Sequence, residues 1–201
     1  MTWLNVSEHY DWLIEQGDDP VFDNEDLKAY MNKWDGQQFI DELNLNKNKT
    51  ILEIGVGTGR IAIKTAPLCK QFYGIDISQK TSAKAIENLK KFDNCSVISD
   101  YFLTYNFSTK FDVIYSSLTF MHIIEKEYAI KKVFDLLNVG GRFVLSIDKN
   151  NSNYIDMGDR KLEIFPDDFK ETKNYILSAG FTITKILETE FAFIFVCDKK
   201  D

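Results

Sequence analysis

The chain has 201 residues, with 24 Lys and Arg against 31 Asp and Glu and a formal net charge of −7. That length suits one domain with a sizeable core. The acidic balance argues against nucleic acid or an anionic membrane as partner, since both favour basic surfaces. No apolar run approaches the ~20 residues that span a bilayer, and Met1 to Asn5 lacks the basic-then-apolar pattern of a signal peptide. Cys69, Cys95 and Cys197 are scattered, with no metal spacing, and read as free thiols of a reducing cytoplasm. No metal site is expected, and nothing sets an oligomeric state.

Residues 1–49 read as two or three helices that cap one edge or mouth of a sheet. Trp3, Val6, Tyr10, Leu13 and Ile14 recur at helical spacing, and Gly17 to Pro20 reads as a turn. A second helical pattern runs through Leu27, Tyr30, Met31, Trp34, Phe39, Ile40 and Leu43, with a break near Gly36. His9 is expected on the exposed side of the first helix.

The next stretch organises the chain. A short apolar run over 51–54 reads as a buried strand, three alternate glycines follow, and Ile61, Ala62, Ile63 and Ala66 open a helical pattern. Glycines there allow a tight reversal and a ligand approach closer than a Cβ permits. The helix start offers free N–H groups to an anionic ligand group. The spacing is Glu53-x-Gly55-x-Gly57-x-Gly59. A dinucleotide fingerprint needs glycine or alanine where Arg60 stands, for close helix packing.

A second strand over 71–78 carries Asp76, roughly 20 residues beyond the glycines, where a carboxylate can accept both ribose hydroxyls. This position suits a nicotinamide cofactor as well as other adenosine ligands. Ser78 is placed to cap a helix through Ala83, Ala85, Ile86 and Leu89. A third strand, Cys95–Ser99, ends at Asp100 and Tyr101. The fourth opens at Phe111 and breaks into Tyr115, Ser116 and Ser117 at its C-terminal end, where open α/β sheets bind ligands. A helix then runs to Gly140 and Gly141, and a fifth strand over 142–147 follows. Residues 148–166 read as a polar, irregular insertion. A helix over 167–179 and two strands, 181–187 and 191–197, complete the chain. Three residues join those strands, so they must be antiparallel.

Motif and order together resemble the class I S-adenosylmethionine-dependent methyltransferases of small-molecule type, over about three-quarters of the chain. The resemblance implies a single α/β domain over 1–201. A Rossmann-like, seven-stranded, mostly parallel sheet carries helices on both faces and an antiparallel C-terminal hairpin. Residues 1–49 form an N-terminal helical cap or lid, 50–198 the core and 148–166 a possible substrate-pocket insertion. It implies S-adenosylmethionine as cofactor, S-adenosylhomocysteine as product and an unidentified small-molecule methyl acceptor. Gly55, Gly57 and Gly59 would hold the methionine end, and Glu53 would orient the loop. Asp76 would take the ribose and Asp100 the adenine, with Ile77 and Tyr101 as neighbouring contacts. The main chain near Tyr115 and Ser116 would seat the amino group. Tyr10, Tyr30 and Trp34 are lid candidates, and Tyr154, Asp156, Met157, Arg160 and Phe165 are candidates for the acceptor pocket. His122 is the candidate general base, with Asp148 a second. A nicotinamide-dependent oxidoreductase and a non-catalytic nucleotide-binding protein are the alternatives. Asp100 counts against the first, and the intact loop with both acids counts against the second.

Overall fold

The computed structural model describes residues 2–158 and 160–200, with the backbone alone for residues 2–4. Among the described residues there are ten strands and seven α-helices. The strands are β1 (Thr2–Leu4), β2 (Thr50–Ile54), β3 (Gln71–Asp76), β4 (Cys95–Ser99), β5 (Phe111–Ser117), β6 (Leu137–Asp148), β7 (Tyr154–Asp156), β8 (Arg160–Glu163), β9 (Thr182–Glu188) and β10 (Ala192–Asp198). The helices are α1 (Val6–Glu15), α2 (Glu25–Met31), α3 (Gly36–Glu42), α4 (Ala62–Thr65), α5 (Gln79–Leu89), α6 (Lys126–Leu136) and α7 (Phe169–Ser178).

Seven strands form one sheet in the order β4-β3-β2-β5-β6-β10-β9. β2 pairs parallel with β3 on one side and β5 on the other, while β10 runs antiparallel to both β6 and β9. The central strands β2, β5 and β10 are buried along nearly their whole length because both faces are covered, whereas the edge strands β4 and β9 are partly exposed. Leu52, Ile54, Ile114, Phe143 and Phe195 pack against α6 and α7 through Ile130, Val133 and Ile176. Ile51, Phe72, Val113, Val144 and Ile194 pack on the other side against Phe39 and Ile40 of α3 and Ala85 and Leu89 of α5. This is the fold expected from the residues. The chain winds outward from β2 to β4 and then returns to β5 on the far side of β2. That reversal opens a crevice at the C-terminal ends of β2 and β5, where doubly wound sheets bind ligands.

Four local expectations need correction. Residues 2–4 are a strand, not the first turn of a helix, and the helix begins after Asn5, which forms a reciprocal capping box with Glu8. The insertion is not irregular: β8 pairs parallel with β1 and antiparallel with β7, forming a separate three-stranded sheet. His9 is buried, 5 % exposed, because α1 is covered by α5 on one side and by β8 on another. Finally, α6 ends at Leu136, and Gly140 and Gly141 lie inside β6. The register there slips between Phe111↔Leu137 and Val113↔Arg142. A Cβ on Gly141 would stand 2.8 Å from the Asn138 carbonyl oxygen, so the bulge admits only glycine.

Candidate cofactor and acceptor site

The glycine loop is pinned from below. The N–H groups of Gly55 and Val56 both donate to the Ile75 carbonyl, at 2.8 and 3.1 Å. Gly55 has φ +76°, and a Cβ there would fall 1.9 Å from Thr119 Oγ1, so the loop and the β5 end meet without a side chain between them. Gly57 has φ +56° and nothing within 4 Å of its would-be Cβ. Its open side lets a ligand lie directly on the backbone. Its N–H donates to Asp76 Oδ2 at 2.9 Å, while the Ser78 N–H donates to Asp76 Oδ1 at 3.0 Å. Both carboxylate oxygens keep a further acceptor position. Ser78 also caps α5, as expected, by accepting from the Thr81 N–H.

A cleft of about 240 Å³ opens above this loop. Glu53, Gly55, Gly57, Asp76, Ile77, Asp100 and Tyr101 line it, and Tyr10 and His122 close it from the cap and the β5–α6 connection. The other candidates lie elsewhere. The would-be Cβ of Gly59 faces Leu89. Tyr115 and Ser116 are fully buried below the cleft, Tyr115 against Phe39 and Ser116 donating to the Ile54 carbonyl. The residues of this stretch that reach the cleft are Ser117, Leu118 and Thr119, because the strand bends upward only at its end. Tyr30 and Trp34 stack with Phe191 and close the mouth of the hairpin, where Ser146 donates to the Trp34 carbonyl. From that same stretch it is Met31 that lines the cleft. Tyr154 lies on the outer sheet under the Lys161 ammonium. Asp148 turns its carboxylate to the Asn150 N–H, a turn contact.

Three polar groupings set the electrostatics. Glu53 is 3 % exposed and accepts from the Tyr115 hydroxyl at 2.9 Å, which in turn lies 2.7 Å from the Thr65 hydroxyl. Burial raises the Glu53 carboxyl to about 8, against the lowering effects of the Tyr115 hydrogen bond and of Arg60. The Arg60 guanidinium meets both oxygens of buried Asp35, at 3.1 and 2.5 Å, and Ser117 donates to Asp35 at 2.8 Å. Burial opposes the charge on Arg60, and the Asp35 pair more than restores it. The third grouping is Tyr10 and His122, hydroxyl to Nε2 at 2.9 Å with the rings edge to face. Burial, with His9 and Lys126 nearby, lowers His122 to about 4. Burial and the Asp76 charge raise the Tyr10 phenol.

Two features escape sequence reading. Arg60 registers there only as a misfit to the dinucleotide pattern, and nothing pairs it with Asp35 in advance. Leu118 has φ +57°, a left-handed conformation that a bulky side chain rarely adopts. Such a residue stores about 1–3 kcal/mol of strain and persists where its surroundings over-determine it, often at ligand sites. No local sequence signal marks it.

Residues 45–189 match the family model described as "Methyltransferase domain". The chain belongs to this methyltransferase domain family. An uncharacterized methyltransferase of Bacillus cereus is 37% identical over 98 residues, 48% of this chain and 45% of that protein. The chain thus spans about half the length of the curated relatives it matches. Among solved structures, N-methyltransferase NodS from Bradyrhizobium japonicum, in complex with S-adenosyl-L-homocysteine, has a TM-score of 0.76 at 15% identity. The match covers 98% of this chain and 100% of NodS. A SAM-dependent methyltransferase from Aquifex aeolicus has a TM-score of 0.72 at 16% identity, covering 94% and 98%. At these identities the likeness is one of fold. The family match begins at residue 45, near the end of the cap, so Tyr10, Met31 and Asp35 belong to the part of the methyltransferase domain protein outside it.

Proposed function

We propose that the protein transfers a methyl group from S-adenosylmethionine to a small-molecule acceptor. The observation that carries this reading is one wall of one cleft, along which stand the open backbone of Gly57, the carboxylates of Asp76 and Asp100, and buried Glu53. These residues fit an adenosine bearing an amino acid. Gly57 leaves room for it, Asp76 keeps acceptor positions for two hydroxyls, and Glu53 offers a desolvated carboxyl to an ammonium. When bound, the cofactor supplies a methyl carbon on a cationic sulfur; the acceptor's lone pair takes that carbon and the C–S electron pair stays with sulfur.

The chain's own part is to orient, to exclude water and to receive a proton. Orientation alone supplies roughly 7–11 kcal/mol in favourable cases. His122 is the group placed to receive the acceptor's proton, and Tyr10 fixes its ring. A neutral imidazole is required for that, and the burial of His122 keeps it neutral down to about pH 4. In an NMR titration of the two imidazoles, assigned with His122→Ala, the His122 signals should move with a midpoint near 4. A midpoint above ~6 would remove the burial on which this role depends. Tyr10 and Met31 of the cap line the cleft, which supports a small-molecule acceptor. Among the described residues no helix is long and apolar enough to cross a membrane, and the three free cysteines suit a cytoplasmic site of action.

The deciding experiment is calorimetric titration with S-adenosylhomocysteine and, separately, NADH. Micromolar binding of the former alone is expected, weakened at least tenfold (~1.4 kcal/mol) in Asp76→Ala. Binding of NADH alone would overturn the reading in favour of hydride transfer.

A further inference from the structure

We infer that the acceptor is an uncharged, largely apolar molecule with one protic nucleophile, and that Leu118 is the residue that selects it; this rests on the methyl-transfer reading above. Leu118 holds its left-handed backbone at the tip of β5, on the floor of the cleft. Its side chain packs in a cluster separate from the main core. Buried Met121, Leu162 and Ile164 form the centre, and Val6, Ile155 and Met157 join it with Leu118. Three segments distant in sequence meet there: the start of α1, the β5–α6 connection and the β7–β8 insertion. The backbone strain at Leu118 places a large apolar group where a relaxed turn would put glycine or asparagine.

Charge points the same way. Arg60 is the cation among the described residues lining the cleft, and Asp35 holds both of its terminal nitrogens. Nearby Lys126 is tied to Asp167 at 2.6 Å and to the Phe120 carbonyl. A carboxylate or phosphate would therefore enter without a counter-charge, beside Glu53, Asp76 and Asp100. Among the described residues lining the cleft, Ser117 donates to Asp35 and Thr119 to the Ser117 carbonyl, which leaves Tyr10, His122, Tyr101 and the Thr58 hydroxyl as its neutral polar groups. That suits one O–H or N–H group on an otherwise apolar body.

The test uses 2-naphthol and 6-hydroxy-2-naphthoate, which share a ring system and a hydroxyl and differ by one carboxylate. Each is titrated by fluorescence into protein saturated with S-adenosylhomocysteine. The expected result is binding of 2-naphthol at least tenfold tighter than of the naphthoate. Leu118→Asn, which tolerates the left-handed backbone but removes the apolar wall, should weaken 2-naphthol at least tenfold. Its affinity for S-adenosylhomocysteine should stay within twofold of the wild type, and Leu118→Met should keep 2-naphthol within threefold. A purely structural Leu118 would move both ligands together. Equal or tighter naphthoate binding, no saturable 2-naphthol binding, or a parallel loss of both ligands in Leu118→Asn would overturn the inference. Failure of wild-type protein to bind S-adenosylhomocysteine is read beforehand by calorimetry; it would remove the methyl-transfer reading and this inference with it.

Discussion

Asp35→Ala should lower the free energy of unfolding by about 3–5 kcal/mol, the range for breaking a buried ion pair by removing one partner. The Asp35 side chain is 3% exposed and that of Arg60 16%, so the remaining guanidinium would be left largely desolvated. The same substitution strands the Ser117 hydroxyl and removes the side chain that accepts from the Gly36 N–H at the start of α3. A control separates the pair from these smaller losses. Asp35→Ala combined with Arg60→Met deletes the orphaned charge, and it should recover at least ~1.5 kcal/mol relative to the single variant. Urea unfolding reads both values. A loss below ~1 kcal/mol in the single variant would mean that the pair behaves as a solvated surface bridge.

Glu53→Gln should stabilise the protein more as pH rises, while weakening its hold on S-adenosylhomocysteine. In the folded chain Glu53 keeps its proton up to about pH 8, whereas in the unfolded chain it loses it near its ordinary value of 4.5. Between those limits the folded state binds one more proton than the unfolded state. The Glu53 contribution to stability is therefore complete below pH 4.5, falls by about 1.4 kcal/mol per unit through the window and levels off above 8. Glutamine stays neutral throughout and can still accept from Tyr115. The variant should gain roughly 3–5 kcal/mol over wild type between about pH 5 and pH 8. Comparing the two proteins removes the contributions of Asp76 and Asp167, which burial also raises. Parallel stability–pH curves would show that Glu53 is already ionised near neutrality. The affinity loss has a separate origin: an ammonium beside Glu53 favours its ionised form, so binding draws the proton off the carboxyl, a step that glutamine cannot take.

The parallel sheet was legible because its central strands are covered on both faces, so mostly apolar runs such as Ile51–Ile54, broken only by Glu53, mark themselves. Ser78 announced α5 for a similarly local reason, a hydroxyl able to accept from the first turn. The outer sheet was not legible. β1, β7 and β8 have three or four residues each, and β1 finds its partner far along the chain, which no window of sequence contains. Along one wall of the cleft, Glu53, Asp76 and Asp100 stand at or next to the ends of β2, β3 and β4, so strand prediction also located these residues. The rest of the cleft depends on contacts between distant segments. Helical spacing showed that Tyr30 and Trp34 face a neighbour but could not say that it is Phe191. Nor could it show that Met31 turns toward the cleft, or that tertiary packing forces Leu118 into a left-handed backbone.

The pairing of β1 with β8 also bears on the order in which the molecule assembles. Thr2 must wait for Arg160, so its ladder closes the longest loop described in the sheets and gains nothing until most of the chain has been laid down. By then β2 to β6 and the glycine turn between β2 and α4 are already present. Nucleation would thus produce an open tray with the ligand floor complete, and the outer strands would close over it as a late event. Reversed in time, the same topology makes the roof the first part to come away.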